Sequence, residues 1–584
     1  HLCHRWLILL RCPRAGQRHA LLKGAGLQAG KTRAMSRPVV TLNSLSKPVS
    51  TLRRWPALIA CAAIFGVARA GSAPSDVPAV FTPDIVTLAS PAGPGAMGAS
   101  LVNGPDHRVY LSWTEPARPA ASAGDRALKF AMLDPEARLW SAPRTITRGP
   151  DLEKSSENFP VLAVQSGGRI TAVWSVNHPV SSASATGVSG QATTGPHDDS
   201  ARHILYSQSA DGGITWGAPQ PLTRESDATA FPSLLPLPDG RVLAAWLDGR
   251  AKKSPGEPEK LYARILGDAG PDTLVDPKVC ECCQTTLTGF PDGSALLAYR
   301  GRTEEEIRDI VATRFVDGQW EPPQRLSRDR WKINTCPVNG PQLDSGGPRV
   351  SATWFTAAGN EPRVLISSSP DAGGLYTMPA RVDLGHALGR VDTLILRDGA
   401  QLVTWLEGPG DDSSEPAGLY LRRYASFGAT LAPALLAPSP TKASVGGFPR
   451  IALVKDFDDT PAQLAVAFMR EGEPSRIETL LVTLPTAAAL AAADSTCGCS
   501  PSGEELAGYP IRGRITAVTA DRGTLRLQHV ALPGVLRAGD REFKAAPNVL
   551  GALQAGRDVL ARVEERSDGW WIFDVRVLLR PAQP

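Results

Sequence analysis

Histidine and methionine are scarce in this chain, with 9 and 5 among 584 residues. No Ser–His–Asp arrangement, glycine-rich phosphate loop or HExxH helix occurs, so the usual signatures of acyl transfer, nucleotide chemistry and zinc peptidases are missing. Long apolar runs are missing too. The apolar stretch Ala57–Val67 has about eleven residues, well short of the roughly 20 that span a bilayer. Acidic residues are absent from positions 1–70, which carry 12 Lys or Arg; the remainder holds 50 basic against 58 acidic groups, or −8. The formal charge of +4 therefore misleads, and no basic surface for nucleic acid is expected.

That basic N-terminus reads as an export segment. Arg53-Arg54 precede the apolar run, and Ala68-Arg69-Ala70 supplies a small-x-small cleavage site. Residues 1–34 are read as upstream translation, with Met35 as the start and 35–70 as signal peptide. Leu58-Ile-Ala-Cys61 offers a lipoprotein alternative. The expectation is a bacterial protein, periplasmic or secreted, beginning near Gly71, with no transmembrane segment in the mature chain.

Glycine (55) and proline (51) are plentiful, which suits a turn-rich all-β chain. A unit repeats: apolar strand, Asp-Gly turn, apolar strand ending in an aromatic. Its second strands end at Trp113, Trp174, Trp246, Tyr299, Trp354, Trp405 and Phe468, spaced by 61, 72, 53, 55, 51 and 63 residues. Each interval holds four short strands, the unit of a β-propeller. Asp239-Gly240, Asp292-Gly293 and Asp398-Gly399 stand where hairpins turn. The seventh unit has only three evident strands, and Val80–Ala89 could close the ring as its fourth. Seven blades are favoured, and six are possible.

Two octapeptides refine this reading: Ser209-Ala-Asp211-Gly-Gly213-Ile-Thr215-Trp216 and the weaker Ser369-Pro-Asp371-Ala-Gly373-Gly-Leu-Tyr376. An Asp that caps backbone N–H groups, followed by glycine, turns a hairpin, and the terminal aromatic packs beneath it. On these boxes, residues 80–484 resemble the sialidase-like, Asp-box (BNR-repeat) propeller superfamily. The resemblance implies an exo-sialidase or related glycoside hydrolase for acidic sugars, with three arginines, a Tyr–Glu nucleophile pair and an Asp acid/base. Arg250, Arg300, Arg390 and Arg450 with Asp248 and Asp392 are the candidates. The family's N-terminal Phe/Tyr-Arg-Ile/Leu-Pro motif is missing, since Val80–Ile85 holds no Arg. The segments Val279–Thr285, Tyr299–Ile310 and Cys336–Ala358 look closer to a branch of exported bacterial proteins named for the fold.

The cysteines of the mature chain are grouped: Cys280-Glu-Cys282-Cys283, Cys336, and Cys497-Gly-Cys499. In an exported protein disulfides are one reading, Cys336 stapling neighbouring blades. The other follows from topology. All four propeller cysteines precede first strands, which places them at one mouth of the channel, where thiolates would suit copper(I) or zinc. The same face collects Glu115, Asp248, Arg250, Arg300, Arg302, Glu407, Asn158, Arg390, Asp392 and Arg450, with Glu306, Arg308 and Asp309 close by and His178 and His386 near it. As a set they suggest a site for a polar or anionic ligand.

After a linker over 485–508, residues 509–584 form short strands at Ile511–Val518, Gly523–Val530, Asp558–Glu564 and Gly569–Leu578. Tyr509–Val518, Leu525–His529 and Leu532-Pro-Gly534 resemble the small periplasmic copper-chaperone family, five-stranded OB-like barrels. That resemblance implies a copper(I) site of one His, two Met and a Trp. His529 matches the His; the Met-x-Met segment falls on Gly539-Asp-Arg541, and the domain has no Met. Three functions stay open: soft-metal binding through Cys280, Cys282, Cys283 and Cys336, with Cys497, Cys499 and His529 as further ligands; a glycosidase for acidic sugars; and a scaffold, with a periplasmic protein as partner, stapled by disulfides.

Overall fold

A computed structural model of the chain describes residues 81–117, 125–177, 202–226, 228–254, 257–410, 416–425, 431–439, 445–457, 460–486, 489 and 508–582. The export segment, His178, Cys497 and Cys499 lie outside these residues. No helix among them is long and apolar enough to cross a membrane.

Seven sheets follow one another along the chain, each of four antiparallel strands, with the fourth split in two in blades 1 and 4. Blade 1 covers Met97–Gly149, blade 2 Val161–Pro221, blade 3 Thr229–Val279 and blade 4 Thr286–Arg325. Blade 5 covers Gln342–Arg381, blade 6 Ala387–Pro438 and blade 7 Val445–Thr483. Each first strand packs against the first strands of both neighbouring blades, so the seven form a closed ring around the axis. Asp84–Leu88 completes the last blade, with Asp84 opposite Thr483 and Leu88 opposite Thr479. The ring is thus closed by a strand that precedes blade 1 in sequence and completes blade 7.

The seven aromatics read from the repeat all fall in second strands, and Trp113, Trp246, Trp354 and Trp405 are wholly buried. Truncating one to Ala would remove roughly 3–5 kcal/mol. The Asp-Gly turns form as expected. The Asp239, Asp292 and Asp398 carboxylates accept the N–H of Arg241, Ser294 and Ala400, and the glycine that follows each has φ near +83 to +85°.

The C-terminal domain is a closed five-stranded barrel. Its strands are Tyr509–Thr519, Thr524–His529, Gly539–Lys544, Asp558–Arg566 and Gly569–Leu579, in the order 1-2-3-5-4-1. Ile511, Leu525, Leu527, Phe543, Val559 and Ile572 fill it. The third strand has no counterpart in the sequence reading, because only Phe543 within it is buried. The barrel's last strand runs onto the propeller. Leu578–Leu579 pairs with Tyr376–Thr377 of blade 5, and Ala582 pairs with Arg325 of blade 4.

Candidate functional site

Two loops meet where blades 3, 4 and 5 adjoin. One carries Cys280-Glu-Cys282-Cys283 between the last strand of blade 3 and the first of blade 4; the other carries Cys336 into blade 5. Their approach is close enough that a Cβ on Gly340 would lie 2.2 Å from Gln284 O. Cys282 and Cys336 form a disulfide, while Cys280 and Cys283 are free thiols. Cys280 Sγ donates to Cys283 Sγ at 3.5 Å and lies 3.8 Å from Cys282 Sγ. Among the described residues, Cys280, Cys282 and Cys283 form the one group of three His, Cys, Asp or Glu that converges closely enough for a single ion.

Two buried arginines frame the sulfurs. Arg308 Nη1 reaches Cys280 Sγ at 3.3 Å and Glu281 Oε2 at 3.3 Å. Arg300 lies near Cys283 with its guanidinium 4.9 Å from the Trp331 ring centroid. Burial alone would raise both thiols. At Cys283 the hydrogen bond from Cys280 and the charge of Arg300 outweigh it and favour the thiolate, whereas burial holds Cys280 as the thiol. Outside them Glu281, Arg302, Glu306 and Arg308 close a ring of alternating charge, with contacts of 2.8–3.3 Å.

A second cluster occupies the mouth, from blades 2, 6 and 7. The Phe159 and Phe448 rings lie 5.8 Å apart. The Arg450 guanidinium sits 4.5 Å from the Phe159 centroid, and that of Arg390 sits 4.3 Å from Phe448. Arg390 Nη2 is 3.4 Å from Glu157 Oε1, and Arg450 Nη1 is 3.5 Å from Asp392 Oδ1. Arg390 has φ of +57°, a conformation that costs about 1 kcal/mol for a residue with a side chain. Asn339 Oδ1 holds it by accepting the Arg390 N–H at 2.7 Å. Asn339 also presents its carbonyl to Arg300, so one residue ties mouth and sulfur site together. Arg390 Nη1 and Arg450 Nε have no hydrogen-bond partner among the described residues.

Several residues read as rim groups are structural instead. Glu115, Asp248 and Glu407 accept the indole N–H of Trp113, Trp246 and Trp405, each two residues earlier. Arg250 is held on the flank of blade 3 by Asp248, Asp272 and Glu225, over Tyr262. Arg300 donates to the carbonyls of Asn339, Arg308 and Phe355 and also lies against Cys283, so its guanidinium is engaged inside the protein. Asn158 bonds to Glu153 and Ser175, Asp309 accepts the backbone of Arg330 and Trp331, and His386 joins Glu407 by its backbone N–H. Of the metal ligands expected, Cys282 and Cys336 are bonded to each other. His529 stands in the barrel core with Nδ1 2.9 Å from Val530 O and its ring against Phe543, apart from the sulfur group. Sequence reasoning missed Glu157, Phe159, Asn339 and Phe448. The available signal was the Phe-Pro pair that opens first strands at Phe159, Phe231 and Phe448.

No protein-family model matches the chain, and no curated protein matches it. Similar folds occur among solved structures. A Hadza microbial sialidase is 14% identical over 54% of this chain and 63% of its own, with TM-score 0.35. Trypanosoma rangeli sialidase is 9% identical over 85% and 91%, with TM-score 0.34. A thermostable family-43 glycoside hydrolase is 12% identical over 61% and 98%, with TM-score 0.30. The chain spans less than two thirds of the first of these. It is a seven-bladed β-propeller. That statement rests on its own sheets, and likenesses this distant carry nothing about activity.

Proposed function

We propose that the protein binds a soft cation, copper(I) before zinc, at Cys280, Cys282 and Cys283, with Cys336 as a fourth donor, and that it serves metal handling outside the cytoplasm. The observation that carries the reading is the convergence of three buried cysteine sulfurs, with separations of 3.5 and 3.8 Å. Metal–sulfur bonds of about 2.3 Å put tetrahedral donors about 3.8 Å apart. Arg308 and Arg300 would offset the negative charge of a thiolate complex. The all-sulfur donor set favours copper(I), and adjacent Cys282 and Cys283 fit a strict tetrahedron poorly. Because Cys282 is oxidised here, full ligation requires reduction of the Cys282–Cys336 bond. The barrel brings no second ligand to His529 among the described residues and is read as a docked domain rather than a copper carrier. The test is copper content after anaerobic reduction, under competition from a copper(I) chelator. About one copper per chain, lost in Cys280→Ser/Cys283→Ser, is expected. Reduced protein that takes up no copper would overturn the reading.

The partly exposed Arg390 guanidinium, over the Phe448 ring and beside Glu157, favours a second reading, in which the mouth binds an acidic glycan. Retention on a sialylated or uronate column, lost in Arg390→Ala, would support it; hydrolysis is not expected, since Arg250, Arg300 and Asp248 are engaged internally.

A further inference from the structure

The oxidation state of the four sulfurs is divided: one disulfide and two thiols at a single junction. A thiol 3.8 Å from one sulfur of a disulfide, with another sulfur placed to take its proton, has the parts that thiol–disulfide exchange needs. Position differs among them as well. Cys280, Cys282 and Cys283 are 1–2% exposed, whereas Cys336 is only partly buried.

We infer that these cysteines form an internal thiol–disulfide relay that moves the free thiol from buried Cys280 to Cys336. Cys280 is the nucleophile. Its proton passes to Cys283 Sγ, its sulfur bonds to Cys282 Sγ, and the Cys282–Cys336 bond breaks with its electron pair on Cys336. One disulfide is exchanged for another, so no oxidant or reductant is consumed. Arg308 Nη1, 3.3 Å from Cys280 Sγ, is the positioning residue that holds the attacking sulfur in place. Cys283 is not the nucleophile. Its Cα is about 3.8 Å from that of Cys282 across one trans peptide, below the usual range of about 4.4–6.8 Å for a disulfide. The emerging Cys336 thiol offers a partner thiol, disulfide or soft electrophile a route to a pair that is itself sealed. The relay needs only sulfur and does not rest on the metal reading.

The test uses the full chain with Cys3, Cys12, Cys61, Cys497 and Cys499 replaced by Ser, kept native with a chelator present. It is pulsed with N-ethylmaleimide, acid-quenched and mapped by mass spectrometry. The expected product carries maleimide on Cys336 and a Cys280–Cys282 bond. In Cys280→Ser, Cys336 labelling is expected to fall roughly tenfold or more while the Cys282–Cys336 bond persists, which also reports that the variant folds. Cys336 that stays unlabelled, labelling confined to Cys280 and Cys283, or Cys336 labelling unchanged in Cys280→Ser each overturns the relay. Because metal is excluded, failure here leaves the copper reading intact, and the reverse holds too.

Discussion

The Asp-box turns of blades 2 and 5 begin alike and end differently. In both, the serine hydroxyl donates to the aspartate, at 2.7 Å from Ser209 and 2.9 Å from Ser369, and accepts the glycine N–H two residues beyond it. In blade 2, Thr215 then supplies both its N–H and its hydroxyl to Asp211. Led by that hydroxyl, these bonds hold the Asp211 carboxyl well below the usual range. In blade 5 the position is Leu375, which gives only an N–H. The spare oxygen, Asp371 Oδ2, is instead 2.7 Å from Arg512 of the barrel. The next residues, Tyr376–Thr377, pair with the barrel's last strand. A repeat that loses its consensus in this place has become a docking surface, while the faithful copy satisfies itself.

The largest contrast is expected at the central glycines. A Cβ on Gly213 would lie 2.3 Å from Phe130 Cζ at φ +80°, whereas on Gly373 it would meet Leu296 Cδ1 and Tyr376 Oη at 3.1 Å. Gly213→Ala should therefore destabilise by roughly 3 kcal/mol and Gly373→Ala by roughly 1–2 kcal/mol. Thermal melts of the two variants check the ranking, and the reverse order would mean that the blade 5 turn is the tighter one.

A smaller effect tests the sharing of Asp371 itself. Leu375→Thr restores a hydroxyl that competes with Arg512 for Oδ2. The ion pair is partly exposed, so about 0.5–1 kcal/mol of docking is at stake. Hydrogen exchange at Leu578 and Leu579 should quicken roughly twofold to fivefold. Thr215→Leu, in the other box, should loosen its own turn by about 1 kcal/mol and leave the barrel amides as they were. Unchanged exchange in Leu375→Thr would separate the lost threonine from the gained partner.

Much of this architecture is readable in the sequence, because period and turn chemistry are local. The seven second-strand aromatics, the Asp-Gly hairpins and the closing strand at Asp84–Leu88 all follow from residue spacing. Side-chain direction does not. Arg300 and Asp248 look like rim charges in sequence, yet one faces carbonyls inward and the other an indole; the Trp-x-Asp/Glu spacing was the overlooked sign for the second. Gly539–Lys544 escaped notice for the opposite reason, as a strand with one buried side chain has no apolar alternation to read. The pairing of Cys282 with Cys336, among three upstream candidates, needed the fold.

The smallest expected effect concerns the closing aromatic. Trp216 packs edge-on against Phe130 at 6.1 Å between centroids. Tyr376 is almost wholly buried, and its hydroxyl has no hydrogen-bond partner among the described residues. Burial raises its pKa, so it stays neutral at ordinary pH. Removing a buried, unpaired hydroxyl relieves a desolvation penalty, and Tyr376→Phe should be neutral or stabilise by up to about 1 kcal/mol. Trp216→Phe also removes a buried, unpaired indole N–H, but it deletes ring area against Phe130 and should destabilise by roughly 1 kcal/mol. Opposite signs in thermal melts would mean that blade 5 keeps its tyrosine for shape, with the hydroxyl a residue of imperfect fit. A Tyr376→Phe chain that melts lower by more than about 2 °C would instead show that the hydroxyl bonds something, with the barrel's final strand the first place to look.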